Sequence, residues 1–192
     1  MKRISTMIAF ALLCACTPAV AQTNLYGWTI SDSNSNPFSN TGPVPGAPLT
    51  LYLWLDCVTN DGMSAMEADF SVPAGVSVFG FNPTNGFLNA GNSTYLLLAV
   101  GGCPGSAGGT AIPLVAGSWS VFGAVAGSYC LVPSGATGTL GTVDCSITPA
   151  VWPIRQVGYG TGGAPSCDQS SPALCVTAVE GNSWGAVKSL YR

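Results

Sequence analysis

The chain has 192 residues, of which only 7% are charged, and it contains no histidine. Five basic side chains face eight acidic ones, so no basic surface exists to neutralise the phosphates of a nucleic acid. The usual histidine-containing zinc sets and the Ser–His and Cys–His nucleophile pairs are excluded for the same compositional reason.

The first element is an export signal. Met1-Lys2-Arg3 is basic, Ile8 to Leu13 is apolar, and Ala19-Val20-Ala21 is a small-x-small cleavage site. Cleavage after Ala21 makes residues 1–21 a signal peptide and starts the mature chain at Gln22. A rival reading takes Leu13-Cys14-Ala15-Cys16 as a lipobox with Cys16 acylated. No later apolar run reaches membrane-spanning length. Export removes Lys2 and Arg3 and leaves Arg155, Lys188 and Arg192 against all eight acids. Solubility then falls to Ser, Thr, Asn and Gly.

Residues 22–48 form an N-terminal part. Its first stretch, 25–31, predicts an edge strand, and 32–48 predicts an irregular lead-in that covers a sheet edge. Pro37, Pro43, Pro45 and Pro48 remove ladder donors there. Asp32-Ser33-Asn34-Ser35-Asn36 has the D-x-N-x-N spacing of a calcium loop. Pro37 stands where that loop needs Gly and Pro43 where it needs a bidentate Glu, so the match fails.

Residues 49–192 are predicted to be the sandwich domain. Leu49, Leu51, Leu53, Leu55 and Cys57 fall on one face, with Thr50, Tyr52, Trp54, Asp56 and Val58 on the other. Asn60-Asp61-Gly62 supplies a tight turn; Asp56, Asn60 and Asp61 form the alternative reading, a cation loop. The chain returns through Met66, Ala68, Phe70 and Val72, with Glu67, Asp69 and Ser71 opposite. Pro73-Ala74-Gly75 turns it into a third strand through Val76, Val78 and Phe79–Phe81. Further strands are predicted over 94–100, 118–125, 128–132, 139–147, 154–159 and 174–179. Gly, Pro and Ser clusters separate them, the pattern of an antiparallel β-sandwich or jelly roll. At the end, Trp184, Val187 and Tyr191 recur at helical spacing behind a Ser183 cap, which predicts a short helix with a strand as the competitor.

Six cysteines remain after export: Cys57, Cys103, Cys130, Cys145, Cys167 and Cys175. An even set in an exported chain, with no CxxC pair, reads as disulfides. Fifteen pairings are open. Sequence proximity favours Cys130 with Cys145 across an apparent hairpin, Cys167 with Cys175, and Cys57 with Cys103.

The segment Leu49–Phe81 resembles the opening of cohesin-like and carbohydrate-binding-module-like domains. The matching residues are Leu51 to Leu55, Ala65 to Val72 and Pro73 to Val78, and Thr139-Leu140-Gly141-Thr142-Val143 is similar to a later cohesin strand. The resemblance implies a sandwich fold and a non-catalytic binding role.

Candidate sites follow from the faces. Tyr52 and Trp54 share the face opposite the leucine row; exposed, they form a platform for sugar rings, and covered, they extend the core. Trp119 and Trp152 are open in the same way. Glu67 and Asp69 lie about 6.5–7 Å apart on one strand face, near glycosidase separations, but the wet side of a strand explains them as well. Asn92-Ser93-Thr94 is a formal glycosylation acceptor. The expected function is a non-enzymatic, extracellular binding or adhesion module for a polysaccharide or a surface protein, without cofactor or metal. The alternatives are a self-assembling structural subunit and, more distantly, a glycoside hydrolase.

Overall fold

The computed structural model describes residues 26–154, 157–161 and 167–169. The signal peptide with Cys16, the 174–179 strand, Cys175 and the 183–192 helix lie outside the described residues. Within them the chain is all-β, with no helix, and two sheets pack as a sandwich.

The smaller sheet has the order β1-β2-β7-β4, all antiparallel: β1 Gly27–Ser31, β2 Leu49–Cys57, β7 Leu114–Phe122 and β4 Ser77–Pro83. The larger sheet is built on β3 (Met63–Ser71). One edge of β3 pairs with β6 (Tyr95–Val100), which carries β5 (Phe87–Asn89) beyond it. Its other edge is divided end to end. β9 (Gly141–Asp144) takes Met63 to Glu67, and β8 (Gly127–Val132) takes Asp69 to Ser71. β10 (Val151–Pro153) extends β9; β11 (Val157–Thr161) extends β8, followed by β12 (Asp168–Gln169) in parallel.

The expected alternation produces the core. Leu51, Leu53 and Leu55 are fully buried, facing Met66, Ala68 and Phe70 from the other sheet. Each such side chain stabilises the fold by about 1.5–3 kcal/mol relative to exposure. Trp119 sits between the layers, stacked on Phe70 at 4.0 Å and tilted against Phe81 at 4.9 Å. Its indole N–H donates to the Ser93 carbonyl at 2.9 Å, so the ring is buried without an orphaned donor. Trp28 crosses the sandwich in the same way and donates to Thr142 Oγ1 at 2.8 Å.

Register shifts interrupt four of the strand pairings, and two of them decide which side chains reach the core. Gly80, at φ +66°, is the extra residue that sends Phe79 outward and Phe81 inward. An unbulged strand puts both phenylalanines on one face. A shift between Met63 and Ala65 likewise brings Met63 into the core beside Met66.

Three expectations are corrected. The 139–147 strand is only Gly141–Asp144, and the 154–159 strand begins at Val157, with the unforeseen Val151–Pro153 before it. β8 and β9 are not a hairpin, because both add to the same edge of β3. The proximity pairing of cysteines fails with it. Cys103 pairs with Cys145 and Cys130 with Cys167, in place of Cys130–Cys145, Cys57–Cys103 and Cys167–Cys175. Cys57 is also disulfide-bonded. Cys130 finds Cys167 because β11 lies beside β8, with Gly158 opposite Cys130. A Cβ on Gly158 would stand 2.2 Å from the Cys167 sulfur, so the bridge occupies the space that a side chain there would need. The two bridges span 42 and 37 residues. On the chain-entropy model each contributes about 4 kcal/mol.

The 32–48 segment contains no strand and ties β1 to the larger sheet. Asp32 accepts from the Thr41 amide (2.8 Å), the Thr41 hydroxyl and the Tyr159 hydroxyl (3.1 Å), and Asn40 Nδ2 donates to the Gly160 carbonyl at 3.1 Å. Burial opposes ionisation of Asp32. Hydrogen bonds from Ser39, Thr41 and Tyr159 outweigh it and hold the carboxyl below its ordinary range.

Candidate functional site

The outer face of the smaller sheet is where the candidate binding residues meet. Strand register arranges its side chains in cross-strand rows. Thr50, Ser120 and Phe79 form one; Ser31, Tyr52, Ser118 and Asn82 form the next; Phe122 and Ser77 form a third. None of these side chains is charged. Phe79 is 60% exposed and Phe122 46%, and their rings meet edge to face, 5.0 Å apart at 78°. Thr50, Ser77 and Asn82 are exposed, while Tyr52, Ser118 and Ser120 are half-buried. Neighbouring strands are about 4.8 Å apart, so Tyr52 and Phe79, two strands apart and one row offset, stand about 12 Å from each other.

Trp54 does not join this surface. It is 6% exposed, and its indole N–H reaches Ser31 Oγ at 2.9 Å and the Ser33 carbonyl at 3.2 Å. The start of the 32–48 segment therefore uses the ring as structure. Trp119 belongs to the core and Trp152 is half-buried. Phe79 and Phe122 are the residues that reading by alternation passed over. The signal was available in Gly80, a glycine inside a strand pattern, which marks a bulge.

Glu67 and Asp69 project from the other sheet. Glu67 Oε1 accepts from Tyr95 OH at 3.0 Å and Thr137 Oγ1 at 2.7 Å, and Asp69 Oδ2 accepts from the Gly135 amide at 2.8 Å. Both carboxylates brace the turn after β8. The bond to Glu67 also pushes the Tyr95 phenol up. In the β2–β3 connection, the Asp61 amide donates to Thr59 Oγ1 and the Gly62 amide to the Thr59 carbonyl, which is turn geometry. Among the described residues no group of three His, Cys, Asp or Glu side chains is placed to hold a metal ion.

Among the carboxylates of the described residues, one that sequence reading did not single out has the most shifted acidity. Asp144 is 3% exposed. Its Oδ2 accepts from Trp152 Nε1 at 2.7 Å, and its Oδ1 from the Ala150 amide (3.0 Å), the Ser146 hydroxyl (2.8 Å) and the Ser146 amide (3.2 Å). These donors, Trp152 first, hold its pKa at about 2. The cage closes the β9–β10 turn and has the geometry of a loop brace.

No protein-family model, curated protein or solved structure matches this chain.

Proposed function

We propose that this chain is a non-enzymatic binding module that works outside the cytoplasm and holds an uncharged polysaccharide on the outer face of its smaller sheet. The observation that carries this reading is the composition of that face. Exposed Phe79 and Phe122, with half-buried Tyr52, stand among Thr, Ser and Asn side chains, with no charged side chain in those rows. Sugar rings offer apolar C–H faces for aromatic stacking and hydroxyls for hydroxyl and amide partners, and such a surface meets both needs. An anionic glycan would find no cation there. Disulfides fit an oxidising, extracytoplasmic location.

The test is retention of the secreted chain on a panel of insoluble polysaccharides, with a soluble glycan array beside it. Retention of the parent on a neutral glycan is expected. Tyr52→Ala and Phe79→Ala should each weaken it about tenfold, equivalent to about 1.4 kcal/mol. Trp54→Phe, which keeps a buried ring, should bind like the parent. No retention on any glycan sinks the proposal, and retention untouched by both alanine substitutions moves it off this face.

A further inference from the structure

The connection from β4 to β5 carries the chain from the smaller sheet to the larger one, and the central residues of its turn are Asn85 and Gly86. Both have left-handed backbones, at φ 51° and 81°, a conformation that asparagine and glycine accept. The Phe87 amide closes the turn on the Thr84 carbonyl at 3.0 Å. Phe87 is buried and meets Trp28 edge to face at 6.4 Å, so the turn sets how this ring enters the core.

An asparagine carboxamide is an electrophile beside the backbone nitrogen of the next residue. Attack by that nitrogen needs it to be unbonded and uncrowded. Asn85-Gly86 is the only Asn-Gly pair in the sequence, and both residues are exposed. The Gly86 amide makes no hydrogen bond among the described residues, and a Cβ at Gly86 would meet nothing within 4 Å. The other described asparagines are placed differently. The amides that follow Asn34, Asn40, Asn60 and Asn89 are already donated, to Ser33 Oγ, Asp32 Oδ2, Thr59 Oγ1 and the Leu97 carbonyl. Asn36 and Asn82 precede prolines, which have no N–H. Asn92 is followed by Ser93, and its own carboxamide oxygen is held by the Thr94 and Tyr95 amides. The Asp61-Gly62 turn is tied as well. There the glycine amide donates to the Thr59 carbonyl at 3.0 Å, and a Cβ on Gly62 would stand 2.6 Å from the Cys103 carbonyl oxygen.

We infer that Asn85 is a deamidation site, where the chain acquires a carboxylate and an isoaspartyl linkage in the turn between its two sheets. The Gly86 nitrogen forms a bond to Asn85 Cγ and gives up its proton. The Cγ–Nδ2 bond breaks, and ammonia leaves with that proton. Water then opens the cyclic imide: at the side-chain carbonyl it gives aspartate, and at the main-chain carbonyl it gives isoaspartate. No oxidant, cofactor or second protein takes part.

The fold both restrains this reaction and registers it. Asn85 Nδ2, the nitrogen that leaves, donates to the Val115 carbonyl at 2.8 Å. Unfolding removes that restraint and should speed conversion. Either product puts an acceptor where the donor stood, so a hydrogen bond becomes a contact between two acceptors. Isoaspartate also routes the backbone through the side-chain methylene, which lengthens the turn that closes between Thr84 and Phe87.

Peptide mapping by mass spectrometry tests this on the secreted chain with its disulfides intact. One portion is held folded for weeks in mildly alkaline buffer, and one is held unfolded in guanidinium. Asn85 should convert before any other described asparagine in the folded portion, as two products of equal mass, and sooner in the unfolded one. The converted fraction should melt about 2–4 °C below the parent, the shift expected from one lost turn bond. Asn85→Gly, which suits the left-handed backbone, should show no conversion in this turn. Asn85 that keeps its amide in the folded chain overturns the inference, as does another described asparagine that converts equally fast. A converted fraction that melts like the parent overturns the link to the turn. None of these measurements depends on glycan retention.

Discussion

The two outer faces of this sandwich are built from the same strand geometry and end in opposite chemistry. Both cover a core of alternating apolar side chains, and both have exposed hydrophobic groups. On the smaller sheet those groups are aromatic and are interleaved with hydroxyls and an amide. On the larger sheet they are aliphatic and run unbroken from Leu88 to Val151. Aromatic rings among polar groups suit a hydrated ligand with its own hydroxyls. Aliphatic rows offer no hydrogen bond and gain only by leaving water. One alternating pattern thus leaves two surfaces of different chemistry, decided by what occupies the outward positions.

The largest effect should come from removing what both faces share. Trp119 lies behind the aromatic face and stacks on Phe70 of the larger sheet. Trp119→Ala should cost about 3–5 kcal/mol in denaturant unfolding and abolish glycan retention. A variant as stable as the parent would show that the sheets are not coupled through this ring.

Acid should act next, most strongly at Asp144. Asp144 has its pKa held at about 2, below the ordinary value of about 3.9 for an aspartate. A depressed folded pKa gives stability that is complete above about pH 4 and is lost as pH falls through about 2. The β9–β10 turn should therefore loosen across that window. Hydrogen exchange should show the amides of Ser146 and Ala150, which donate to Asp144, losing protection there before those of the smaller sheet. In Asp144→Asn the acid-dependent part of that change should disappear, because the amide does not titrate. An unchanged pH profile would remove Asp144 as its source.

Gly80→Ala should have the smallest effect. A Cβ at Gly80 meets nothing within 4 Å, so only the left-handed backbone resists it. The cost should be about 1–2 kcal/mol by thermal or denaturant melting. Glycan retention should fall with it as Phe79 is re-aimed. Parent-like retention would mean that the bulge does not set the aromatic face.

Much of the fold was legible before the structure. Leu51, Leu53 and Leu55 alternate with Thr50, Tyr52 and Trp54, and Met66, Ala68 and Phe70 alternate with Glu67 and Asp69, and the inward sets are buried as that period requires. Of the candidate site, Tyr52 was legible as an outward residue. Trp54 was legible as outward too, but alternation says which side of a sheet a residue takes and nothing about what lies over that side.

The sequence by itself determined the β class, the inward rows and the even set of cysteines, because each depends on spacing along one strand or on composition. Tertiary structure decided the rest. Cys130 meets Cys167, and Cys103 meets Cys145, because β8 and β9 share one edge of β3, a long-range arrangement that nearness in sequence misstates. Phe79 reaches the outer face only through the bulge at Gly80, and Trp54 leaves that surface only because Ser33 folds back onto it. The aliphatic row exists only after five strands are set side by side, since its members are scattered from Ala65 to Val151 and no local period connects them.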